Sequence, residues 1–283
     1  MLAATLATGC HVVLEGPPGT GKSTLLRTVA RAAGLGVEFV EGNAELTPAR
    51  LLGHHDPALV LEAGYRADTF VDGPLLTALR EGRLLYIEEL NRVPEETLNV
   101  LVGALAEGEV HVPRLGHVAA SPGFRLIAAM NPFDAIGTAR VSQAISDRMC
   151  RIAIGYQDAA AEERIVERVT DGTDPLVTPA VALARASREH PQVRMGASVR
   201  AAIDLVRLGR GLTRLRGEEE PSTATFTDAA IAAVSGRLRL EEGCDRTPDD
   251  IVRELIAGLR DEEGEEGKAP APPGRRPAGP AMR

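Results

Sequence analysis

The stretch EGPPGTGKST, residues 15–24, contains residue types that can hold a polyphosphate. Gly16, Gly21, Lys22 and Ser23 fit the pattern G-x-x-x-x-G-K-[ST], in which backbone N–H groups surround phosphate oxygens, the lysine neutralises them and the hydroxyl ligates Mg²⁺. Lys22 is the only lysine before residue 268. The residues expected to contact the nucleotide are Gly16, Pro17, Pro18, Gly19, Thr20, Gly21, Lys22, Ser23 and Thr24. The pattern predicts a nucleoside triphosphate bound with Mg²⁺.

Two adjacent carboxylates follow an apolar run in RLLYIEELNR, residues 83–92. Residues 84–87 predict a buried strand, and Glu88 and Glu89 follow at its carboxyl end, the edge where parallel sheets bind phosphates. Adjacent side chains at a strand end point in different directions. We therefore predict that Glu88, with Ser23, holds the Mg²⁺ and that Glu89 orients or deprotonates the attacking water. Together with the phosphate loop, these acids predict hydrolysis.

Alternating strand and helix patterns position these residues. Strands are predicted at 10–14, 37–40, 84–87 and 124–130, and helices at 23–33 and 97–107. This alternation predicts an α/β fold, a P-loop NTPase with a parallel sheet sandwiched by helices. We expect this nucleotide-binding core to occupy residues 1–156.

Beyond residue 155 the strand patterns give way to amphipathic helices. The predicted helices are 159–169, 179–189, 199–208, 226–240 and 248–259. A small all-α lid domain is therefore expected at 157–260. Residues 261–283 are acidic and then rich in Pro and Ala, which predicts a disordered tail.

Composition disfavours several other classes of protein. The chain has 283 residues, 25% of them charged, and a formal net charge of −8, which opposes nucleic-acid binding. Aromatic residues make up 3%, so a base-stacking platform is not expected either. Three widely spaced cysteines suggest neither a zinc knuckle nor a disulfide framework. Without a leader or an apolar run of spanning length, a cytoplasmic protein with no membrane association is expected.

The order of the motifs from about residue 9 to residue 208 resembles that of the MoxR family of AAA+ ATPases, in its helix-2-insert branch. The matching segments are GPPGTGKS, DGPLLTALREGRLLYIEELNRVPEETLNVLVGALAEGEV, IAAMNP, the N-P, G-T and D-R pairs within 131–148, and GASVR at 196–200. The resemblance implies ATP as the substrate, Mg²⁺ as the cofactor, an AAA+ core and a helical lid.

The resemblance also implies roles for three further residues. Asn131 resembles the first sensor, which positions the hydrolytic water, although an Asn-Pro turn would give the same residues. Arg148 resembles the arginine finger that reaches the nucleotide of the adjacent subunit, with Arg140 and Arg151 as rivals and a pair with Asp147 as the alternative. In a separate segment, Arg200 resembles the second sensor on the lid.

Two segments fit the hairpins of that branch. Residues 59–71 predict two short apolar runs around a turn, and residues 110–119 predict a second hairpin around 115–117. In such assemblies these hairpins face a pore or partner, whereas surface loops are the simpler interpretation. His54, His55 and Asp56 could suggest a metal site, but a solvent-facing loop is favoured because no third ligand has suitable spacing.

The resemblance implies a ring-shaped homo-oligomer, a hexamer, that remodels or activates a client protein. The client could contain a von Willebrand factor A domain or be a metalloenzyme. Three alternatives stay open: a metal-chelatase motor or Rubisco-activase-like subunit, a nucleotide-gated scaffold with little hydrolysis, and a DNA motor, which the acidic charge disfavours.

Glu88 stands where the family more often has Asp. Relatives also carry residues before the first strand that help seat the adenine, so a truncated start and an open choice between ATP and GTP are expected.

Overall fold

The structure is a computed structural model that describes residues 1–132 and 141–266. The chain forms two compact units, one over Met1–Tyr156 and one from Gln157 onward. Each unit has its own hydrophobic core.

The first unit contains seven helices and nine strands among its described residues. The helices are α1 Leu2–Ala7, α2 Lys22–Ala32, α3 Pro48–Leu52, α4 Pro57–Ala63, α5 Pro74–Glu81, α6 Glu95–Ala106 and α7 Gln143–Ser146. The strands are β1 His11–Glu15, β2 Val37–Glu41, β3 Gly53–His55, β4 Phe70–Asp72, β5 Leu84–Glu88, β6 Glu109–Val112, β7 Gly116–Ala119, β8 Arg125–Met130 and β9 Met149–Ala153.

The central sheet has five parallel strands in the order β2-β5-β8-β1-β9. Side chains of one strand alternate between two cores. On β5, Leu84 and Tyr86 pack with residues of α1 and α2, whereas Leu85 and Ile87 pack with residues of α3, α5 and α6. Helices therefore cover both faces, as expected for an all-parallel sheet. The predicted α/β sandwich is confirmed, and each fully buried Leu contributes about 1.5–3 kcal/mol of burial free energy.

The edge strand β9 was not predicted. Its pattern of partly exposed residues lacks the continuous apolar run of a central strand. It pairs with β1 through five registered residues, from His11 opposite Met149 to Glu15 opposite Ala153.

The segment 59–71 is not the predicted hairpin. It begins within α4, which Asp56 caps by accepting hydrogen bonds from the N–H groups of Ala58 at 2.8 Å and Leu59 at 3.3 Å. Pro57 occupies the first helical position, which favours a helix start. The strands that pair are β3 and β4, on either side of this helix. The second predicted hairpin is confirmed, because β6 and β7 pair antiparallel over 109–119.

The second unit is mainly helical. Its helices are α8 Ala159–Val169, α9 Val177–Glu189, α10 Val199–Arg216, α11 Thr223–Val234 and α12 Pro248–Glu266. Two corrections apply to the prediction for this region. A short antiparallel pair, β10 Val193–Met195 with β11 Arg239–Leu240, interrupts the expected all-α lid. In addition, α12 continues to Glu266, past the predicted start of the tail at residue 261.

No helix among the described residues combines the length and the apolar character that crossing a bilayer requires.

Candidate nucleotide site

The loop 16–21 connects the end of β1 to the start of α2. Gly19 and Gly21 have φ angles of 78° and 83°, a left-handed conformation that glycine adopts without strain. At Gly16 a Cβ would lie 2.0 Å from the backbone oxygen of Ile154, the residue after β9. The glycines of the motif are therefore required by backbone conformation and by close backbone approach.

Lys22 points back over this loop. Its Nζ donates to the carbonyl oxygens of Gly16 at 2.7 Å and Pro17 at 2.9 Å. The buried Thr20 hydroxyl donates to the same Pro17 oxygen at 3.0 Å. Pro18 and Thr24 are exposed. The ammonium group thus lies within the loop at the amino end of α2, where backbone N–H groups and the helix dipole favour an anion.

Ser23 joins the loop to the first acid. Its hydroxyl donates to Glu88 Oε1 at 2.5 Å and lies 3.1 Å from the Tyr86 hydroxyl. Burial raises the pKa of Tyr86 to about 12. A hydroxyl and a carboxylate oxygen are the hard donors that Mg²⁺ prefers, so Ser23 and Glu88 fit that ion.

Glu89 follows β5 in a left-handed conformation, with φ 55° and ψ 46°. Such a conformation is uncommon outside glycine and turns the side chain away from the strand direction. Its carboxylate pairs with Arg92, and Nε and Oε2 are 2.8 Å apart. The two adjacent acids therefore point to different partners, Ser23 for Glu88 and Arg92 for Glu89.

Asn131 directly follows β8, which lies between β5 and β1. The structure thus brings the loop, both acids and Asn131 to the carboxyl edge of three neighbouring strands. The Asn131 backbone oxygen accepts a hydrogen bond from the Asn91 side chain at 3.4 Å. Asn91 is 9% exposed and links the turn after Glu89 to this position.

Sequence reasoning missed Asn91, Tyr86 and Gly42. The N–H of Gly42 donates to the backbone carbonyl oxygen of Glu88 at 2.7 Å. A Cβ on Gly42 would lie 2.5 Å from the backbone carbonyl oxygen of Glu89. A glycine two residues after the predicted strand 37–40 was the available signal for Gly42. Nothing in the sequence pattern distinguishes Tyr86 or Asn91 from other residues of a buried strand and turn.

The arginine-finger candidates lie in different places. Arg148 is exposed, immediately precedes β9 and donates to the Ala144 oxygen at 2.7 Å. Since β9 is parallel to β1, Arg148 lies at the amino edge of the sheet, about 16 Å along the strands from the loop edge. Arg151 instead pairs with Glu15. The rival Arg140 lies outside the described residues.

Arg200 is the second residue of α10 in the second unit and is exposed. The preceding segment is held tightly: Arg188 Nε donates to the Ala197 oxygen at 2.7 Å, and the Ala197 N–H donates to Ser187 Oγ at 2.8 Å. Arg188 also forms two hydrogen bonds, of 3.1 and 2.8 Å, to Glu162, which is 1% exposed. A buried ion pair therefore fixes the backbone that leads to Arg200.

Residues 54–56 stabilise the insert, which is the segment that runs from β3 through α4 to β4. His55 bonds to the Thr69 hydroxyl at 3.0 Å and packs edge-on against Tyr65 and Phe70. The Asp56 carboxylate is used as the cap of α4. Within 1–132 and 141–266, no group of His, Cys, Asp or Glu is arranged to hold a metal ion by itself.

Two family matches cover most of the chain. Residues 11–149 match the AAA domain of the dynein-related subfamily, and residues 185–255 match the AAA lid domain. An uncharacterized protein of Staphylococcus haemolyticus is 31% identical over 202 residues, which are 69% of this chain and 76% of that protein. The gas vesicle ATPase GvpN2 of Halobacterium salinarum is 28% identical over 262 residues, which are 87% of this chain and 74% of that protein.

Solved structures share the fold at low sequence identity. NtrX from Brucella abortus, solved in complex with ADP, has a TM-score of 0.55 at 20% identity, covering 90% of this chain and 58% of that chain. The RuvB Holliday junction branch migration motor of Thermotoga maritima has a TM-score of 0.53 at 17% identity, covering 82% and 65%.

Proposed function

Because this chain belongs to the dynein-related subfamily of AAA domains and is an ATPase, we propose that it is a MoxR-type member. In this proposal it hydrolyses ATP with Mg²⁺ in a ring-shaped homo-oligomer, a hexamer, and uses the energy to remodel or activate a client protein. The order of motifs within 9–208 supports the MoxR assignment.

The observation that carries the proposal is the 2.5 Å hydrogen bond from Ser23 to Glu88. It joins the phosphate loop to the acids at the edge where Asn131 also lies. Ser23 and Glu88 would hold Mg²⁺, which neutralises phosphate charge, while Lys22 and the loop N–H groups bind the phosphates. Glu89 would accept the proton of the attacking water, and Asn131 would orient that water.

The position of Arg148 supports assembly. A guanidinium at the amino edge of the sheet cannot reach the loop at the carboxyl edge of the same sheet, because about 16 Å separates them along the strands. In the proposal, Arg148 stabilises phosphate charge in the site of the adjacent subunit, as arginine fingers supplied in trans do. Arg200 is proposed to contact the γ-phosphate as the second sensor.

The insert between β3 and β4 supports a protein client. Its helix α4 buries none of its residues, and Leu61 and Tyr65 are 89% and 57% exposed. Exposed apolar side chains grouped on one segment are typical of surfaces that bind other proteins. The cytoplasm is the proposed compartment, since the three cysteines are widely spaced along the sequence and form no disulfide framework there.

Steady-state phosphate release tests the enzymatic part of this proposal. The wild-type protein should release phosphate from ATP only when Mg²⁺ is present, and Glu89→Gln should bind ATP without releasing phosphate. Absence of Mg²⁺-dependent release by the assembled wild type would favour the nucleotide-gated scaffold instead. In a separate experiment, Glu89→Gln with bound ATP should capture the client protein, and mass spectrometry should identify it.

A second candidate is an ATPase of gas vesicles, favoured by the similarity to GvpN2 over 87% of this chain. It makes a different prediction for the capture experiment, since gas vesicle proteins would then be the chains retained by Glu89→Gln.

A further inference from the structure

Tyr86 brings a polar group into the core of the first unit. The side chain lies on β5, is 1% exposed and packs among the residues under α1 and α2. Its ring centroid is 5.8 Å from that of Phe39 on the neighbouring strand β2. Only its hydroxyl reaches the nucleotide edge, where it lies 3.1 Å from Ser23 Oγ.

The hydrogen bonds at Ser23 define a direction. A serine hydroxyl has one proton to donate and two lone pairs that accept. The Ser23 proton goes to Glu88 at 2.5 Å, so the Tyr86 proton is the one available between Tyr86 and Ser23. The resulting chain runs from the Tyr86 O–H to Ser23 Oγ and from the Ser23 O–H to Glu88. One lone pair of Ser23 Oγ remains, and this lone pair can coordinate a metal ion.

This arrangement also bears on Glu88, which is one methylene longer than the Asp that the family more often has. A longer carboxylate has one more rotatable bond to fix. Glu88 accepts the Ser23 proton, so it is linked to the phenol of Tyr86 through Ser23. The phenol therefore contacts one of the groups that fit Mg²⁺ directly and is linked to the other through it.

We propose that Tyr86 is a positioning residue for Mg²⁺ binding, which holds the Ser23 hydroxyl and, through it, the Glu88 carboxylate in the orientation that the ion requires. The inference rests on the proposed function, because it needs Ser23 and Glu88 to hold the Mg²⁺ of the nucleotide complex. The inference explains why this buried strand position holds a tyrosine, where an apolar side chain is otherwise expected.

The test measures binding of a fluorescent ADP analogue at increasing Mg²⁺ concentration. Tyr86→Phe removes one oxygen and leaves the ring in place. We expect the Mg²⁺ midpoint of binding to rise about three- to tenfold, as expected for one hydrogen bond lost. Binding measured in EDTA should stay unchanged, and the thermal unfolding midpoint should fall by no more than the loss of one hydrogen bond explains. The exposed Tyr65→Phe is the matched control and should leave the Mg²⁺ midpoint at the wild-type value.

A double-mutant cycle with Ser23→Ala separates this role from a general effect on packing. If Tyr86 acts through Ser23, adding Tyr86→Phe to Ser23→Ala should not change the Mg²⁺ midpoint further. An additional loss in the double variant, an unchanged midpoint in Tyr86→Phe, or an equal loss in EDTA would overturn the inference. Failure of the wild type to bind the analogue under any condition would instead contradict the proposed function.

A measurement that keeps Tyr86 in place makes the inference testable even if Tyr86→Phe does not fold. With 3-fluorotyrosine incorporated, the ¹⁹F signal of Tyr86 is assigned by removing those of Tyr65 and Tyr156 with Phe substitutions. Adding Mg²⁺ to the analogue-bound protein should shift the Tyr86 signal, and Ser23→Ala should abolish that shift. A Tyr86 signal that does not respond to Mg²⁺ would overturn the inference.

Discussion

Arg92 Nε lies 2.8 Å from Glu89 Oε2, and the two residues are three positions apart on the turn that follows β5. Each side chain is 44% exposed. An exposed pair of this kind contributes about 0–1 kcal/mol, because solvent screens it. Glu89 is therefore held away from the Ser23 and Glu88 pair by a weak contact, and little free energy opposes its release toward a water molecule.

Glu89→Gln should retain nucleotide binding and lose turnover. The amide keeps the shape of the side chain but cannot accept a proton, and positioned general bases contribute about 10²–10⁴ in rate. Phosphate release and binding of a fluorescent nucleotide measure the two effects separately. Glu96→Gln, an exposed acid in the first turn of α6, is the matched control and should keep wild-type turnover. Full activity of Glu89→Gln would remove Glu89 from the mechanism.

Arg148→Ala should fold and bind nucleotide but lose turnover by about 10³–10⁵, the contribution of an arginine finger. Arg151→Ala is the control, since Arg151 pairs with Glu15 in its own chain. Mixing inactive Arg148→Ala with inactive Glu89→Gln offers a sharper test. In random rings, about one quarter of the interfaces would combine an intact acid with an intact arginine, so turnover should partly return. No recovery in rings shown to be mixed would exclude a role of Arg148 in trans.

Gly16→Ala should abolish nucleotide binding and destabilise the first unit. The added Cβ would lie 2.0 Å from the Ile154 oxygen, so the loop or the end of β9 must move. Gly155→Ala is the matched control because a Cβ there meets no atom within 4 Å. Nucleotide titration and thermal unfolding measure the result. Equal behaviour of the two variants would show that the close approach at Gly16 is not required.

Arg188→Ala should destabilise the second unit by about 3–5 kcal/mol, because it leaves the buried Glu162 carboxylate without its main partner. It also removes the hydrogen bond to the Ala197 oxygen, ahead of Arg200. Arg185→Ala is the control, since its guanidinium lies 3.6 Å from Glu162 and is more exposed. Hydrogen exchange in α9 and α10 should rise strongly only in Arg188→Ala. Unchanged protection there would contradict the structural role.

Much of the nucleotide edge follows from the sequence, because its parts are local. The phosphate loop needs glycines at fixed spacing, and Glu88 and Glu89 directly follow a continuous apolar run that only a buried strand explains. The edge strand β9 was missed since it is half-exposed and its pattern is mixed. The helix α4 was misread as a strand because its apolar residues outweighed the Asp56-Pro57 helix start.

Tertiary contacts account for the remaining misses. Ser23 and Tyr86 are separated by 63 positions and meet only because α2 packs over β5. The link between Glu162 and Ala197 through Arg188 likewise joins α8, α9 and the segment that precedes α10. Side-chain networks of this kind depend on helix packing and strand order, which local spacing does not specify.

His11 should make the first unit less stable in mild acid. Burial and then the charge of Arg125 lower the pKa of His11 from the ordinary 6.5 to about 4. Its Nδ1 accepts a hydrogen bond from the Leu126 N–H at 2.9 Å, which protonation would abolish. Because the unfolded chain binds this proton more readily, the stabilisation is complete above pH 6.5 and is lost as the pH falls toward 4.

The measurement is the denaturant midpoint between pH 7.5 and 4.5 in three proteins. Carboxylates also titrate in this pH range. The result is therefore the difference between the proteins in how steeply the denaturant midpoint falls with pH, and not the slope of any one protein. His11→Asn keeps an acceptor without a titrating ring and should show a shallower decline than the wild type. His54→Asn changes an exposed histidine and should keep the wild-type slope. Parallel curves for His11→Asn and the wild type would mean that the neutral imidazole of His11 does not stabilise the junction between β1 and β8.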